Sequence, residues 1–443
     1  MKFIFADSLD YVDPAFDFVA DRSPAERQPY WDDVYPHEIL GYAPYDGVLV
    51  SRGIVGDHRV KGKYTASQAR RFSLVGVRKF LRLDRPAFQH LDIFGDCGAF
   101  TYVQEDRPPY TPVEMAEFYD ECGFTHGCSV DHIIFDFDPD LSGMAGGTQD
   151  ARHRFDITLE NADGFRRETV ATGADFTPLG VVQGWSPGSM AEAARRLVAM
   201  GYDYLAIGGM VPLKSPEIKV CLEAIRAAVP ASTRLHILGF AKADEIDSFH
   251  RYDIASFDTT SPLIRAFKDA KKNYYLPGED LALRYFTSIR VPQAIENPKL
   301  QRAVKKGLFR AEDLVRLEAL ALDSLRAFDR GEAALDETLH NVLVYSAPLF
   351  DERPYEDCAD SVTLARLKER YRTTLAARPW QQCSCAICRE ASIDVIIFRG
   401  SNRNKRRGIH NLAIYKNHIE RLDLKRAGTR HDDFQRHLCA AER

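Results

Sequence analysis

Leu179-Gly180-Val181-Val182, Tyr204-Leu205-Ala206-Ile207 and Leu235-His236-Ile237-Leu238 are short apolar runs, each closed by a polar or glycine-containing turn. Between them lie two helical patterns. From Ser189 to Met200, residues Met190, Ala193, Ala194, Leu197 and Val198 share one face, and a second pattern runs from Pro216 to Val229. Runs without polar alternation suit strands buried on both faces. Strand, helix and strand in succession predict parallel pairing. Working outward, similar runs occur at Gly47–Val50, Leu91–Phe94 and His132–Phe135. That many repeats over about 260 residues fits an α/β (β/α)8 TIM barrel, with a doubly wound open sheet as the alternative. No GxGxxG follows a strand and there is no Walker A motif, so neither a dinucleotide site nor a P-loop is signalled.

From about Leu281 to Pro348 the pattern turns helical, with Leu314, Leu317, Leu320 and Leu325 at helical spacing between Glu312 and Phe328. The expected organisation is a barrel core over 1–280, a helical insertion over 281–348, and a metal-binding subdomain with closing helices over 349–443. At 443 residues, 45% hydrophobic and 28% charged, the chain has the composition of a globular protein with a large core. No apolar stretch reaches about 18 residues, and Asp7 interrupts the N-terminus too early for a secretory segment. A cytoplasmic protein without a membrane partner is expected, with six of the nine cysteines as free thiols.

The remaining three form Cys383-Ser384-Cys385-Ala386-Ile387-Cys388. With His410 they offer three thiolates and an imidazole, a closed tetrahedral set for structural Zn2+. His418, His431 and His437 are competing fourth ligands. His410 is preferred because the text after it starts a helix that could present it.

Net charge is −5, yet the segment from Cys383 to Arg443 holds 13 basic and 7 acidic residues, which leaves −11 on the first 382. Basic clusters at Lys268, Lys271 and Lys272 and at Arg403, Lys405, Arg406 and Arg407 are expected to contact nucleic acid. The overall acidity argues against indiscriminate coating.

Three aspartates end apolar runs: Asp96, Asp136 and Asp258. Barrel active sites lie at C-terminal strand ends. Gln183-Gly184 and Gly208-Gly209-Met210 end two more, and their glycines would let a flat ligand approach the backbone.

These motifs together resemble the tRNA-guanine transglycosylases: Asp96-Cys97-Gly98-Ala99-Phe100, Val182-Gln183-Gly184, Ile207-Gly208-Gly209, Phe257-Asp258, the cysteine cluster and Ile409-His410-Asn411-Leu412. The text from Phe3 to Gly53 is similar to the DpdA-type DNA-guanine transglycosylases of DNA-modification clusters. The resemblance implies a zinc-containing barrel that exchanges guanine in a polynucleotide for a free 7-deazaguanine. It implies Asp258 as nucleophile, Asp96 as general acid/base, and Asp136 and Gln183 reading the base. Gly208, Gly209 and neighbouring Met210 would line the base, with Phe100 and Leu238 on its faces. Where tRNA enzymes using an aminomethyl base carry a glutamate after Gly-Gly, this chain has Met210-Val211-Pro212. That implies the neutral nitrile base preQ0; the DpdA-type resemblance implies double-stranded DNA as acceptor, with a helper protein of the same cluster as a further partner. Two other functions remain open: a tRNA-guanine transglycosylase, or a non-catalytic nucleic-acid-binding subunit.

Overall fold

The computed structural model describes residues 1–441 apart from 8, 241 and 280, with backbone alone for 243 and 426–441. The chain forms two compact units, one of Met1–Leu9 and Tyr45–Ser261, the other of Asp10–Pro44 and Pro262–Arg443.

The first unit is a closed parallel barrel of eight strands in sequential order. The strands are β1 (Lys2–Ala6), β2 (Gly47–Ser51), β3 (Asp92–Asp96), β4 (His126–Cys128), β5 (Thr177–Val182), β6 (Tyr204–Ile207), β7 (Arg234–Ile237) and β8 (Ser256–Asp258). Closure pairs Ile4 with Asp258 across β1 and β8. The helices follow their sequence signals. Pro187–Ala199 starts at Ser186, whose hydroxyl accepts the Ser189 amide, and it buries Met190, Ala193, Ala194 and Leu197. The barrel interior is filled by Ile4, Leu49, Phe94, Leu179, Val181 and Tyr204, among others.

One strand differs from expectation. His132–Phe135 joins no ladder, and β4 is His126-Gly127-Cys128. The choice is steric. A Cβ at Gly127 would lie 2.4 Å from the Tyr119 ring, so only glycine lets this strand meet the helix Pro112–Cys122. The β-branched residues that suggested a strand are instead buried beyond its end, Ile133 at 4% and Ile134 at 3% exposure.

In the second unit, the segment from Leu281 begins with β structure: β9 (Tyr274–Pro277) pairs with β10 (Leu283–Phe286), and β11 (Ile289–Arg290) with β12 (Ile397–Phe398). Helices Pro298–Lys305, Ala311–Arg330 and Leu335–Phe350 follow. Their apolar faces, including Leu325, Val342 and Leu343, share one core with Trp380, Ile387 and Ile396. The helical block and the cysteine-bearing piece are therefore packed as one body. No helix among the described residues is long and apolar enough to cross a membrane.

Candidate active site

Four strand ends of the barrel bring carboxylates and amides together. Asp258 ends β8 and is 6% exposed. Its Oδ1 accepts the Gly239 amide at 2.9 Å and lies 3.2 Å from His236 Nε2. Among the described residues its Oδ2 has no hydrogen-bond partner, which leaves one oxygen for chemistry. Beneath it, His236 Nδ1 is 2.6 Å from Ser256 Oγ, which is 2.6 Å from the Tyr204 hydroxyl. A neutral imidazole protonated on Nε2 satisfies the chain: Tyr204 donates to Ser256, Ser256 to His236, and His236 to Asp258. The His236 ring also stacks on Phe94, centroids 4.8 Å apart.

Asp96 ends β3 and accepts from the Gly98 amide and the Ser51 hydroxyl. Burial, then the charges of Asp131 and Asp258, push its carboxyl up to about 7. Both acids end strands of the same barrel, and the charge of Asp258 is felt at Asp96. A carboxyl poised near neutrality is suited to both giving and taking a proton.

The third acid of this cluster is Asp131, which the sequence reading missed. It is 2% exposed, three residues past β4. Its Oδ1 accepts from Cys97 Sγ at 3.0 Å and its Oδ2 from Gln183 Nε2 at 2.7 Å. Burial raises the Asp131 carboxyl, and burial followed by the Asp131 charge raises the Cys97 thiol, which stays protonated as a donor. The Tyr102 hydroxyl closes the network, 2.9 Å from Cys97 Sγ and 3.0 Å from the Asp131 carbonyl. Ligand atoms of Asp96, Cys97 and Asp131 all lie within 4.8 Å of one another. Asp136, singled out because it follows the misassigned strand, is exposed and accepts from Thr148 Oγ1 at 2.7 Å. Among the described residues no hydrogen bond or ion pair joins it to the cluster.

Glycines shape the same mouth. A Cβ at Gly208 would lie 2.3 Å from Gln183 Nε2, so a side chain there would displace that amide, and Gly209 has φ +72°, where a side chain would strain the backbone. Gly184 instead packs on the following helix, where a Cβ would lie 2.7 Å from Met190 Cγ. Met210 is buried at 1% exposure, and Leu238 packs on the barrel interior. Phe100 is 59% exposed, and its ring centroid lies 6.4 Å from that of Phe135, also exposed.

No family model matches the chain. A DNA-guanine transglycosylase of Salmonella montevideo is 39% identical over 422 residues, covering 95% of this chain and 97% of that protein. The chain belongs to the DNA-guanine transglycosylase family.

The second unit of this DNA-guanine transglycosylase family member carries the cysteine cluster. Cys383, Cys385, Cys388 and His410 place their ligand atoms within 4.8 Å of one another and could hold a metal ion. His410 Nδ1 is 3.5, 3.4 and 3.3 Å from the three sulfurs in order. Its Nε2 lies 2.8 Å from the Tyr275 carbonyl, which fixes Nδ1 as the metal-facing atom. The Tyr274 ring stacks on it at 4.1 Å. His418 is not part of this group, and His431 and His437 lie outside the described side chains, as does Cys439.

The basic run at 403–407 is corrected. Arg403, Arg406 and Arg407 are at most 1% exposed. Arg403 pairs with Asp21 and Asp394, and Arg406 with Glu390 at 2.8 Å. Arg407 donates to the carbonyls of Ala266, Val395 and Ile397, and burial lowers its pKa to about 9. Lys405 lies over the Tyr11 ring, 5.1 Å from its centroid. These arginines hold the second unit together and are not offered to a phosphate. Lys268, Lys271 and Lys272 are exposed.

Proposed function

We propose that this protein exchanges guanine in DNA for a 7-deazaguanine base, preQ0, by two displacements at one deoxyribose. The observation that carries the reading is the pair Asp258 and Asp96 at barrel strand ends, one whose hydrogen bonds among the described residues fall on Oδ1 and the other held near neutral pKa.

Asp258 Oδ2 attacks C1′ of the target nucleotide as the bond to guanine N9 breaks, and Asp96 protonates the departing base. A covalent glycosyl ester remains. Asp96, now ionised, takes the proton from N9 of the incoming base, which attacks C1′ and releases Asp258. Splitting one exchange into two displacements is the gain of covalent catalysis. The His236 and Gly239 donors hold Asp258 and disperse its charge. The target nucleotide must leave the stack to reach the barrel mouth.

Asp131 and Gln183 read the amide edge of the base, the role first expected of Asp136. Phe100 and Leu238 cover its faces, with Gly208 and Gly209 along its edge. Support for preQ0 is the apolar, buried Met210 beside Gly209, where a cationic aminomethyl group would want a carboxylate. Zinc fits the three sulfurs and imidazole, with hydrogen-bonded support at Nε2, and its role is structural because no ligand position is open. Buried free thiols such as Cys97, Cys122 and Cys128 suit a reducing cytoplasm.

The test is incorporation of labelled guanine into duplex DNA and, separately, into bulk tRNA. Label entering DNA alone is expected. Label entering tRNA alone overturns the acceptor assignment, and label entering neither would leave a non-catalytic binding role or a requirement for a helper protein.

A further inference from the structure

The second unit contains a pocket that the chemistry above does not use. It encloses about 140 Å³ between Phe267, Lys268, Ser288, Arg290, Arg370 and Phe398, among others. Pockets for drug-sized ligands run to roughly 300–1,000 Å³, so this one suits a single small group.

Its floor holds an unmet donor. Ser288 is 3% exposed, and its Oγ is buried with no hydrogen-bond partner among the described residues. Buried hydroxyls are rarely left so. The surrounding backbone is fixed: the Ser288 amide donates to Asn273 Oδ1 at 2.6 Å, and Asn273 Nδ2 donates to the Asp269 carbonyl at 3.0 Å. The backbone that carries the hydroxyl is thus held in place.

Three cations line the same pocket. Among the described residues, no carboxylate forms an ion pair with Lys268, Arg290 or Arg370. Arg290 lies over the Phe398 ring, 5.2 Å from its centroid, and Arg370 Nε donates to the Arg366 carbonyl at 3.1 Å. The acid in the lining, Asp269, accepts the amides of Lys271 and Lys272 at 2.7 and 2.9 Å, both on Oδ1. A positive rim, a free hydroxyl below and apolar walls form a receptor for an oxyanion, and arginine forks match phosphate oxygens. Lys271 and Lys272, exposed, extend the positive face beyond the pocket, which suits a polyanion more than a free ion.

We propose that this pocket binds a phosphate group, and that its occupant in the working enzyme is a backbone phosphodiester of the DNA acceptor. The occupant, though not the pocket, rests on the acceptor proposed above. The contact positions the duplex and reads no sequence.

The test measures binding of the full-length protein to a random-sequence duplex across a salt series, with Arg290→Gln, Arg370→Gln and Ser288→Ala. Each arginine variant is expected to weaken binding about 3- to 10-fold at low salt and to reduce the slope of log K against log salt by about 1. Ser288→Ala is expected to weaken binding with the slope retained, since no charge is lost. Both arginines have exposed surface, so a failure of Ser288→Ala to fold leaves the other two decisive. Wild-type affinity and slope in folded arginine variants would overturn the proposal. Inorganic phosphate alone provides the second arm. If it raises the melting temperature of the wild type but not of Arg370→Gln, while duplex affinity is the same in both, the site takes a free anion and the DNA assignment falls. If the wild type exchanges guanine into tRNA only, and the arginine variants bind tRNA more weakly, the phosphate pocket stands and the DNA acceptor falls. Exchange into DNA with unaltered variants gives the reverse.

Discussion

Nε2 of His236 lies 3.2 Å from Oδ1 of Asp258, and both side chains are buried inside the barrel. The contact is one link of a chain that begins at Tyr204 and passes through Ser256. In the proposed exchange His236 is thus a positioning residue: its contact with Oδ1 holds the carboxylate so that the other oxygen is the one left to attack. His236→Phe keeps an aromatic ring on Phe94 but removes the donor. Misplacing a reacting group by about 1 Å can cost on the order of 10²-fold. We expect kcat to fall by about that factor with KM for DNA little changed, in steady-state exchange assays. An equal rise in KM with kcat retained would assign His236 to binding instead.

Asp96 predicts the pH profile. Its carboxyl is raised from 3.8 to about 7 by burial, Asp131 and Asp258. Departure of guanine needs the protonated form, so single-turnover guanine release should fall about tenfold per unit above pH ~7. Stability follows the same group with a definite sign. The folded state holds a proton that the unfolded chain releases near 3.8, so this group's contribution is full below that value and is lost as pH rises through about 7. Asp96→Asn should therefore melt higher than the wild type near pH 8, with the gap closing toward pH ~4, and should lose about 10²- to 10⁴-fold in rate. A gap that widens on acidification would reverse the assignment.

Cys97 donates to Asp131, and Asp131 in turn holds Gln183. Cys97→Ala leaves a buried carboxylate oxygen short of one donor, a loss of about 1–3 kcal/mol. The expected result is a raised KM for the free base, rescued in part by Cys97→Ser, whose hydroxyl restores a donor. An unchanged KM in Cys97→Ala would remove the thiol from the base-reading network.

The cysteine cluster predicts metal dependence of stability. Cys385→Ala should lose one equivalent of zinc by elemental analysis and lower the melting temperature. Structural zinc contributes on the order of 10 kcal/mol in small zinc domains, and a share of that is at stake here. Full metal content in Cys385→Ala would exclude this set.

Six of the eight strands, β2, β3 and β5 to β8, fall at or near apolar runs or motifs read from the sequence, because strands buried on both faces leave a compositional trace, while β1 was not read as a strand. β4 leaves none: His126-Gly127-Cys128 was selected for lack of bulk against Tyr119, and the β-branched run beyond it took its place in the reading. That single shift moved attention from Asp131 to Asp136. Asp96 and Asp258, the proposed catalytic pair, were legible because they end true strands. The arginines of 403–407 were misread for a different reason. Asp21, which pairs with Arg403, is 382 positions away, and linear charge patterning carries no sign of a partner so distant. The supporting chain under Asp258 was hidden as well, since Tyr204, His236 and Ser256 come from three strands and meet only inside the closed barrel.

The most direct measurement is covalent trapping. Denaturing the enzyme during turnover on DNA and mapping any protein–DNA adduct by mass spectrometry should find deoxyribose on the peptide containing Asp258 in the wild type and no adduct in Asp258→Ala. An adduct that persists in Asp258→Ala, or that maps to another side chain, would contradict the account.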